Sequence, residues 1–265
     1  MKIIRFISQE NRVCCGVINT LEDKTARLIY GDIFDEFSLS EETASIAKLL
    51  SPVFPPNIIG MGLNYAKHAD ETGIRHPEMP IMFLKGTNTV IGHGEPIIIP
   101  SVCREEVDYE AELAIVISKP AFNVPEEKAT DYILGYCCAN DVSARDWQAN
   151  KQKKQWARGK SFDTFCPLGP WIVTKDEIPD PDNLRIRTIL NETVLQDSNT
   201  SDMIFPVKTI ISDISKSMTL LPGTVILTGT PEGVGFTRVP PVFLKPGDTV
   251  TIEIEKIGCL ANPVR

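Results

Sequence analysis

Val107-Asp108-Tyr109-Glu110-Ala111-Glu112-Leu113-Ala114-Ile115-Val116-Ile117 is the stretch on which the reading of the whole chain turns. Side chains alternate between the two faces of a strand. Tyr109, Leu113, Ile115 and Ile117 therefore share an apolar face, while Asp108, Glu110 and Glu112 share the opposite one. The segment reads as a strand that enters a core and carries a charged end. Three carboxylates on one side repel each other, so either that face meets water, as a solvated edge strand, or a cation compensates. Clustered carboxylate oxygens are the donors that hard Mg2+ or Mn2+ prefers.

Strand patterns recur on both sides of it. Ile81–Lys85, Ile97–Ile99, Leu113–Ile117, Tyr136–Asp141, Trp171–Thr174, Leu184–Leu190, Thr224–Thr228 and Thr249–Glu255 all read as strands, and Thr249 to Ile254 alternates strictly. Helices are fewer. Pro125–Leu134 has acids in its first turn and Gly135 after it, and Val207, Ile210, Ile211, Ile214 and Met218 repeat at helical spacing. Strands without regular βαβ alternation predict an α+β fold with a β-sandwich or roll core. Towards the N-terminus, Ile3–Ile7, Val13–Ile18 and Ala26–Tyr30 are strand-like. Ser38 and Glu41 form a capping box that predicts a helix over Glu41–Leu50. Ser51-Pro52-Val53-Phe54-Pro55-Pro56 disfavours helix and sheet alike and reads as a linker. A small N-terminal domain, 1–52, is therefore expected before a larger one, 57–265.

Composition bounds the function. At 265 residues, with 42% hydrophobic and 23% charged residues, the chain suits a water-soluble globular protein. No apolar run approaches the roughly 18 residues of a membrane span, and Met1 to Ile7 is too short for a signal peptide. A net charge of −8 argues against nucleic-acid partners, since phosphate requires clustered Lys and Arg. Seven cysteines without a Cys-x-x-Cys pattern point to a reducing cytoplasm rather than a disulfide framework.

Other residues extend the chemical reading. Tyr136 to Asn140 is an apolar strand ending in Asp141, placed to serve as a third ligand or, alternatively, as half of a turn-forming Asn-Asp pair. In Asn64-Tyr65-Ala66-Lys67-His68-Ala69-Asp70-Glu71-Thr72-Gly73, Asn64 can cap a short helix and Gly73 can end it. His68 and Glu71, three apart, then meet on one face. A carboxylate that orients an imidazole makes a general base, although a solvated surface pair has the same spacing. The Pro77- and Pro80-bearing stretch after Gly73 suits a lid. Lys85 and Lys160 are lone cations that would stabilise an oxyanion if they lay near a metal. Thr228-Gly229-Thr230-Pro231-Glu232-Gly233-Val234-Gly235 lacks the lysine of a phosphate loop and reads as a backbone wall around a small anion.

Taken in order, these segments resemble the fumarylacetoacetate hydrolase family. The resemblance is carried by Gly62-Leu63-Asn64-Tyr65 through His68 and Glu71, Phe83-Leu84-Lys85, Asp108 to Leu113, Asn140 to Asp146, Gly159 to Phe165, Leu227 to Pro231, Lys245 to Asp248, Ile257-Gly258 and Asn262-Pro263. It implies a mixed β-roll in a homodimer with a smaller N-terminal domain. It also implies Mg2+ or Mn2+ on Glu110, Glu112 and Asp141, a water-activating His68–Glu71 dyad on a lid, a catalytic Lys160, and substrate contacts from Lys85, Arg145, Gln148 and Thr230. Leu63 departs from the charged residue that many relatives carry before the Asn. The expected reaction is metal-dependent hydrolysis of a C–C bond in a small 2,4-dioxo acid, of the acylpyruvate or fumarylpyruvate type. Oxaloacetate decarboxylation and isomerisation of a dienoic diacid are alternatives at the same metal. A non-catalytic small-molecule-binding relative is a further one.

Overall fold

The structure is a computed structural model that describes residues 1–151 and 153–265. The N-terminal block holds β1 (Lys2–Ser8), β2 (Val13–Ile18), β3 (Thr25–Gly31) and β4 (Phe37–Leu49). Then follow β5 (Ile58–Gly62), helix α1 (Ala66–Thr72), β6 (Ile81–Lys85), β7 (Val90–Ile91), β8 (Val107–Asp108), β9 (Ala111–Ile117), β10 (Ile133–Asn140) and β11 (Ser143–Ala144). A π-turn, Trp147–Lys151, precedes helix α2 (Trp156–Lys160). The remainder comprises β12 (Cys166–Thr174), β13 (Arg185–Leu190), β14 (Thr193–Asn199), helix α3 (Val207–Ser217), β15 (Val225–Leu227), β16 (Thr249–Ile254) and β17 (Gly258–Pro263).

This is an α+β fold built mainly of sheet. The main sheet runs β2-β3-β4-β1-β12-β10-β9-β15-β5-β6, with β7 also paired to β12. A second sheet, β14-β13-β16-β17, packs against it through β16 and β17 on β10 and β12. β9 is buried along its whole length, which is why the part after Glu112, Leu113–Ile117, reads as an unbroken apolar run. Its Leu113, Ile115 and Ile117 join Ile186, Ile252, Ile254 and the inner face of α3 in one core layer. Ala114 and Val116 join Ile3, Ile172, Val225 and Leu227 in the other. Each fully buried aliphatic side chain there contributes on the order of 1.5–3 kcal/mol. Among the described residues no helix is long and apolar enough to cross a membrane.

Four local expectations change. Ile97–Ile99 is not a strand, since only Ile97 pairs, in an isolated bridge with Val264. Glu41–Leu50 is not a helix: Glu41–Leu49 belongs to β4, which pairs with β3 and with β1. Edges open on both sides of the segment outweigh a local capping signal, because tertiary pairing overrides propensity. Pro125–Leu134 forms a 3-10 turn over Glu126–Tyr132 instead of an α-helix. Asn64 does not cap α1: its amide donates to the carbonyls of Phe205 and Thr228 and its oxygen accepts from Phe205 N, while Gly73 does end the helix at φ 69°.

Candidate active site

Strand direction brings the chemistry to one edge of the main sheet. β9 is antiparallel to both β10 and β15, and β15 is parallel to β5. The start of β9 therefore lies beside the ends of the other three. Glu110 and Glu112 come from the first, Asp141 from just past β10, Gly229 from just past β15, and α1 from the chain leaving β5. The junction is stitched by Asp141 N donating to Glu110 O at 3.0 Å and Glu110 N donating to Asn140 Oδ1 at 3.0 Å. Glu110, Glu112 and Asp141 are all buried, with one oxygen of each within 4.8 Å of the others.

Buried cations surround these acids. Lys160 Nζ donates to Glu110 at 2.7 Å, Asp141 at 2.5 Å and Ser143 Oγ at 2.7 Å. Arg145 bridges Asp108 at 2.9 Å and Glu110 at 2.7 Å. Lys85 donates to Asp141 at 2.6 Å and to the Val142 carbonyl at 3.2 Å. Four buried acids (Asp108, Glu110, Glu112, Asp141) thus face three buried cations (Lys85, Arg145, Lys160), one negative charge in excess. The unmatched group is Glu112, which accepts a hydrogen bond from Gly229 N at 2.7 Å and, among the described residues, has no ion-pair partner. Burial, then Asp141 and Glu110, push its carboxyl well above the usual range. Burial would do the same to Glu110, but Lys160 and Arg145 outweigh it and hold that carboxyl down to about 2. Burial favours the neutral form of Lys160; Asp141 and Glu110 more than offset this and raise the ammonium above its ordinary value.

The donor set passes a chemical test for a divalent cation. It is all carboxylate oxygen, three-fold and convergent, and short of positive charge, which suits an octahedral hard ion completed by water or substrate. Carboxylate oxygens already engaged by Lys160 or Arg145 retain a second lone pair.

Opposite the acids stands the histidine pair. Glu71 Oε1 and His68 Nδ1 are 2.7 Å apart on α1. Glu71 Oε2 accepts from Gly233 N at 3.0 Å and Thr237 Oγ1 at 3.1 Å. Burial raises the Glu71 carboxyl, but those hydrogen bonds, led by His68, leave it below its ordinary value. Between the pair and the acids lies a cavity of about 320 Å³ whose wall includes His68, Glu110, Arg145, Gln148, Lys160 and Thr230. Six of the residues singled out from sequence line that cavity, while Glu71, Glu112, Asp141 and Lys85 do not. Lys85 has a fully covered side chain that pairs with Asp141, and unlike Arg145, Gln148 and Thr230 it is not part of the cavity wall.

The glycine-rich loop does wrap anions, but they are the protein's own carboxylates. Gly229 N serves Glu112, Gly233 N serves Glu71, and Gly235 N and Phe236 N serve Asp108 at 2.8 and 3.0 Å. Sequence reasoning missed several supports. Ser143 fixes Lys160. Gln196 accepts from Ala111 N at the start of β9 and donates to Thr230 Oγ1 at 2.9 Å. Phe236 lies under the Arg145 guanidinium, 4.5 Å from its ring centre. Only Ser143, two residues past Asp141, stood within a recognised segment.

A buried acid cluster with hard-cation character, under a small cavity and facing a histidine–carboxylate pair, is the site of an enzyme. The chain belongs to the fumarylacetoacetate hydrolase family: it matches the description "Fumarylacetoacetate (FAA) hydrolase C-terminal" over residues 57–265, and "Rv2993c-like, N-terminal" over residues 1–52. It is 52% identical over 217 residues to an oxaloacetate tautomerase fahd2, mitochondrial, of Xenopus laevis, covering 82% of this chain and 68% of that one. Among solved structures it resembles a 5-carboxymethyl-2-hydroxymuconate delta-isomerase from Mycobacterium smegmatis (TM-score 0.87, 41% identity, 100% and 99% of the two chains). It also resembles a 2-hydroxyhepta-2,4-diene-1,7-dioate isomerase from Mycobacterium marinum (TM-score 0.86, 41% identity, 100% and 98% of the two chains).

Proposed function

We propose that the protein moves a proton next to the 2-oxo group of a small diacid of the oxaloacetate type, interconverting its keto and enol forms. The observation that carries this reading is that His68, held by Glu71, lines the same cavity as Glu110 of the Glu110–Glu112–Asp141 cluster. Keto–enol exchange needs one group that both takes and returns a proton. His68 suits that role. With its Nδ1 proton committed to Glu71, the other ring nitrogen is free to accept a proton from the carbon beside the carbonyl and to return it at the enol oxygen. A divalent cation held by Glu110, Glu112 and Asp141 would supply Lewis-acid polarisation of the 2-oxo carboxylate. Lys160, locked as an ammonium, balances negative charge that develops on the substrate oxygen and does not act as the base. Arg145 and Gln148 orient the substrate. The names of the similar proteins, a tautomerase of oxaloacetate and isomerases of dioic acids, support the choice. Seven thiols fit a reducing compartment, cytoplasmic or mitochondrial.

Hydrolysis of an acylpyruvate is the second reading. It is favoured by the same His68–Glu71 pair, which is equipped to activate water, and by a cavity roomier than a four-carbon diacid needs. The test follows the enol absorbance of oxaloacetate, pyruvate release and acetylpyruvate cleavage in parallel, with Mg2+ or Mn2+ and after chelation. Metal-dependent tautomerisation that drops by roughly 10²-fold in His68→Ala is expected. Acetylpyruvate cleavage without any acceleration of tautomerisation would move the assignment to the hydrolase.

A further inference from the structure

We propose that Lys154 selects diacids by binding the substrate carboxylate remote from the acid cluster, an inference that rests on the reading of the cavity as a 2-oxo acid site. The cavity wall carries buried charged residues, Glu110, Arg145 and Lys160, beside apolar ones. Met61, Leu63, Ile74, Phe83 and Trp156 make the apolar part of its wall. Phe83 and Trp156 meet edge-on, with ring centres 6.3 Å apart, and the Trp156 indole lies where a side chain on Gly62 would otherwise stand. One further lysine lines the wall, Lys154, and unlike the buried Arg145 and Lys160 it is exposed.

The other two cations on that wall are committed. Lys160 spends its three protons on Glu110, Asp141 and Ser143, and Arg145 is clamped to Asp108 and Glu110. Among the described residues Arg145 nevertheless keeps one buried donor, Nη2, with no hydrogen-bond partner. Among the described residues no carboxylate lies within ion-pair distance of Lys154. Lys153 and Lys154 are both left-handed, at φ 49° and 66°, and this reversal between the Trp147–Lys151 turn and α2 brings Lys154 to the cavity. The result is a buried donor on Arg145, apolar side chains and an exposed lysine around one cavity. A molecule with two carboxylates on a short carbon chain matches that set of chemistries; a monoacid leaves Lys154 unused.

The experiment compares kcat/KM for oxaloacetate with that for a 2-oxo monoacid, acetylpyruvate, in the parent, Lys154→Ala, Lys154→Glu and Lys154→Arg. Loss of a charge-assisted hydrogen bond should lower the diacid-to-monoacid ratio by roughly tenfold in Lys154→Ala. The fall should be larger in Lys154→Glu, with recovery in Lys154→Arg and the change expressed mainly in KM. A ratio unaltered in Lys154→Glu overturns the inference. Calorimetry with Mg2+ separates it from the reaction assignment, using oxalate, which engages only the chelating end, and malate, which extends beyond it. Weaker malate but not oxalate binding in Lys154→Glu, with no turnover of either substrate by the parent, would uphold Lys154 and remove the proposed reaction. Equal weakening of both ligands would remove Lys154 as a selector.

Discussion

Glu112 is the residue from which the centre's demand for a cation can be measured. It is buried, unmatched by a positive group and held near two other acids. Mg2+ or Mn2+ at about 100 times its Kd should stabilise the parent by about 2.7 kcal/mol, read as a shift in thermal melting. Glu112→Gln should lose most of that shift while melting no lower than the parent in chelator, because an amide carries no charge to leave unbalanced. Glu110 behaves in the opposite sense. Its carboxyl is depressed from an ordinary value near 4.5 to about 2. A depressed acid contributes stability that is complete above its unfolded-state value and is lost as the pH falls through the folded-state value. Denaturant melts of the metal-free protein should therefore weaken between about pH 4.5 and 2, and Glu110→Gln should lack that component of the slope. Melts in which the two proteins run parallel through this range would contradict the ion-pair account.

At the scale of elements, α1 is a short helix tied down at its far side by Glu71 to Gly233 and Thr237. Glu71→Ala should raise hydrogen exchange over residues 66–72, and oxalate with Mg2+ should slow exchange in the parent across 66–80. Gly235→Ala should be costly, because an added Cβ collides with the Val242 carbonyl and comes within 2.5 Å of Asp108 Oδ1. Overpacking of this kind costs about 1–3 kcal/mol, measurable by denaturant melts. Much at this scale was legible in the sequence. Alternation along β9 and β16 and the helical spacing of Val207, Ile210, Ile211 and Ile214 are local signals, and the structure repeats them. The grouping of Glu110, Glu112 and Asp141 was legible because a hairpin-like β9–β10 pair brings acids at their ends together. What escaped depended on distant partners. β4 is a strand because β3 and β1 offer it edges, and Asn64 serves Phe205 and Thr228, over a hundred residues away. Lys85 looked like a substrate contact because a lysine at a strand end gives no sign of which side of Asp141 it will occupy.

For the whole molecule, the N-terminal block is not independent of the rest of the sheet. Lys2 and Ile3 pair with Val173 and Ile172, and Thr174 N donates to Met1 O. Two sequence segments joined by a shared hydrogen-bond ladder should unfold together, so calorimetry should show one transition. The opposite margin of the sheet is β6, whose Met82 and Leu84 are exposed. Uncovered edge strands invite pairing, and two-fold association is the commonest way soluble chains cover such surfaces. A homodimer is accordingly expected, and light scattering at micromolar concentration should give about twice the 29.4 kDa of one chain.

The loop from Gly229 to Phe236 holds three acids, from two separate parts of the chain, through peptide N–H groups. Every residue type except proline carries that donor, so the grip on Glu112, Glu71 and Asp108 is encoded in backbone shape and not in side-chain identity. Genetic drift can then alter Glu232 without loosening the acids. Gly229 and Gly233 are kept by their positive φ, and Gly235 by the absence of a Cβ. Selection for a new substrate would find its raw material in the cavity wall, at positions such as Leu63 and Lys154, while the acid cluster and the His68–Glu71 pair are inherited unchanged.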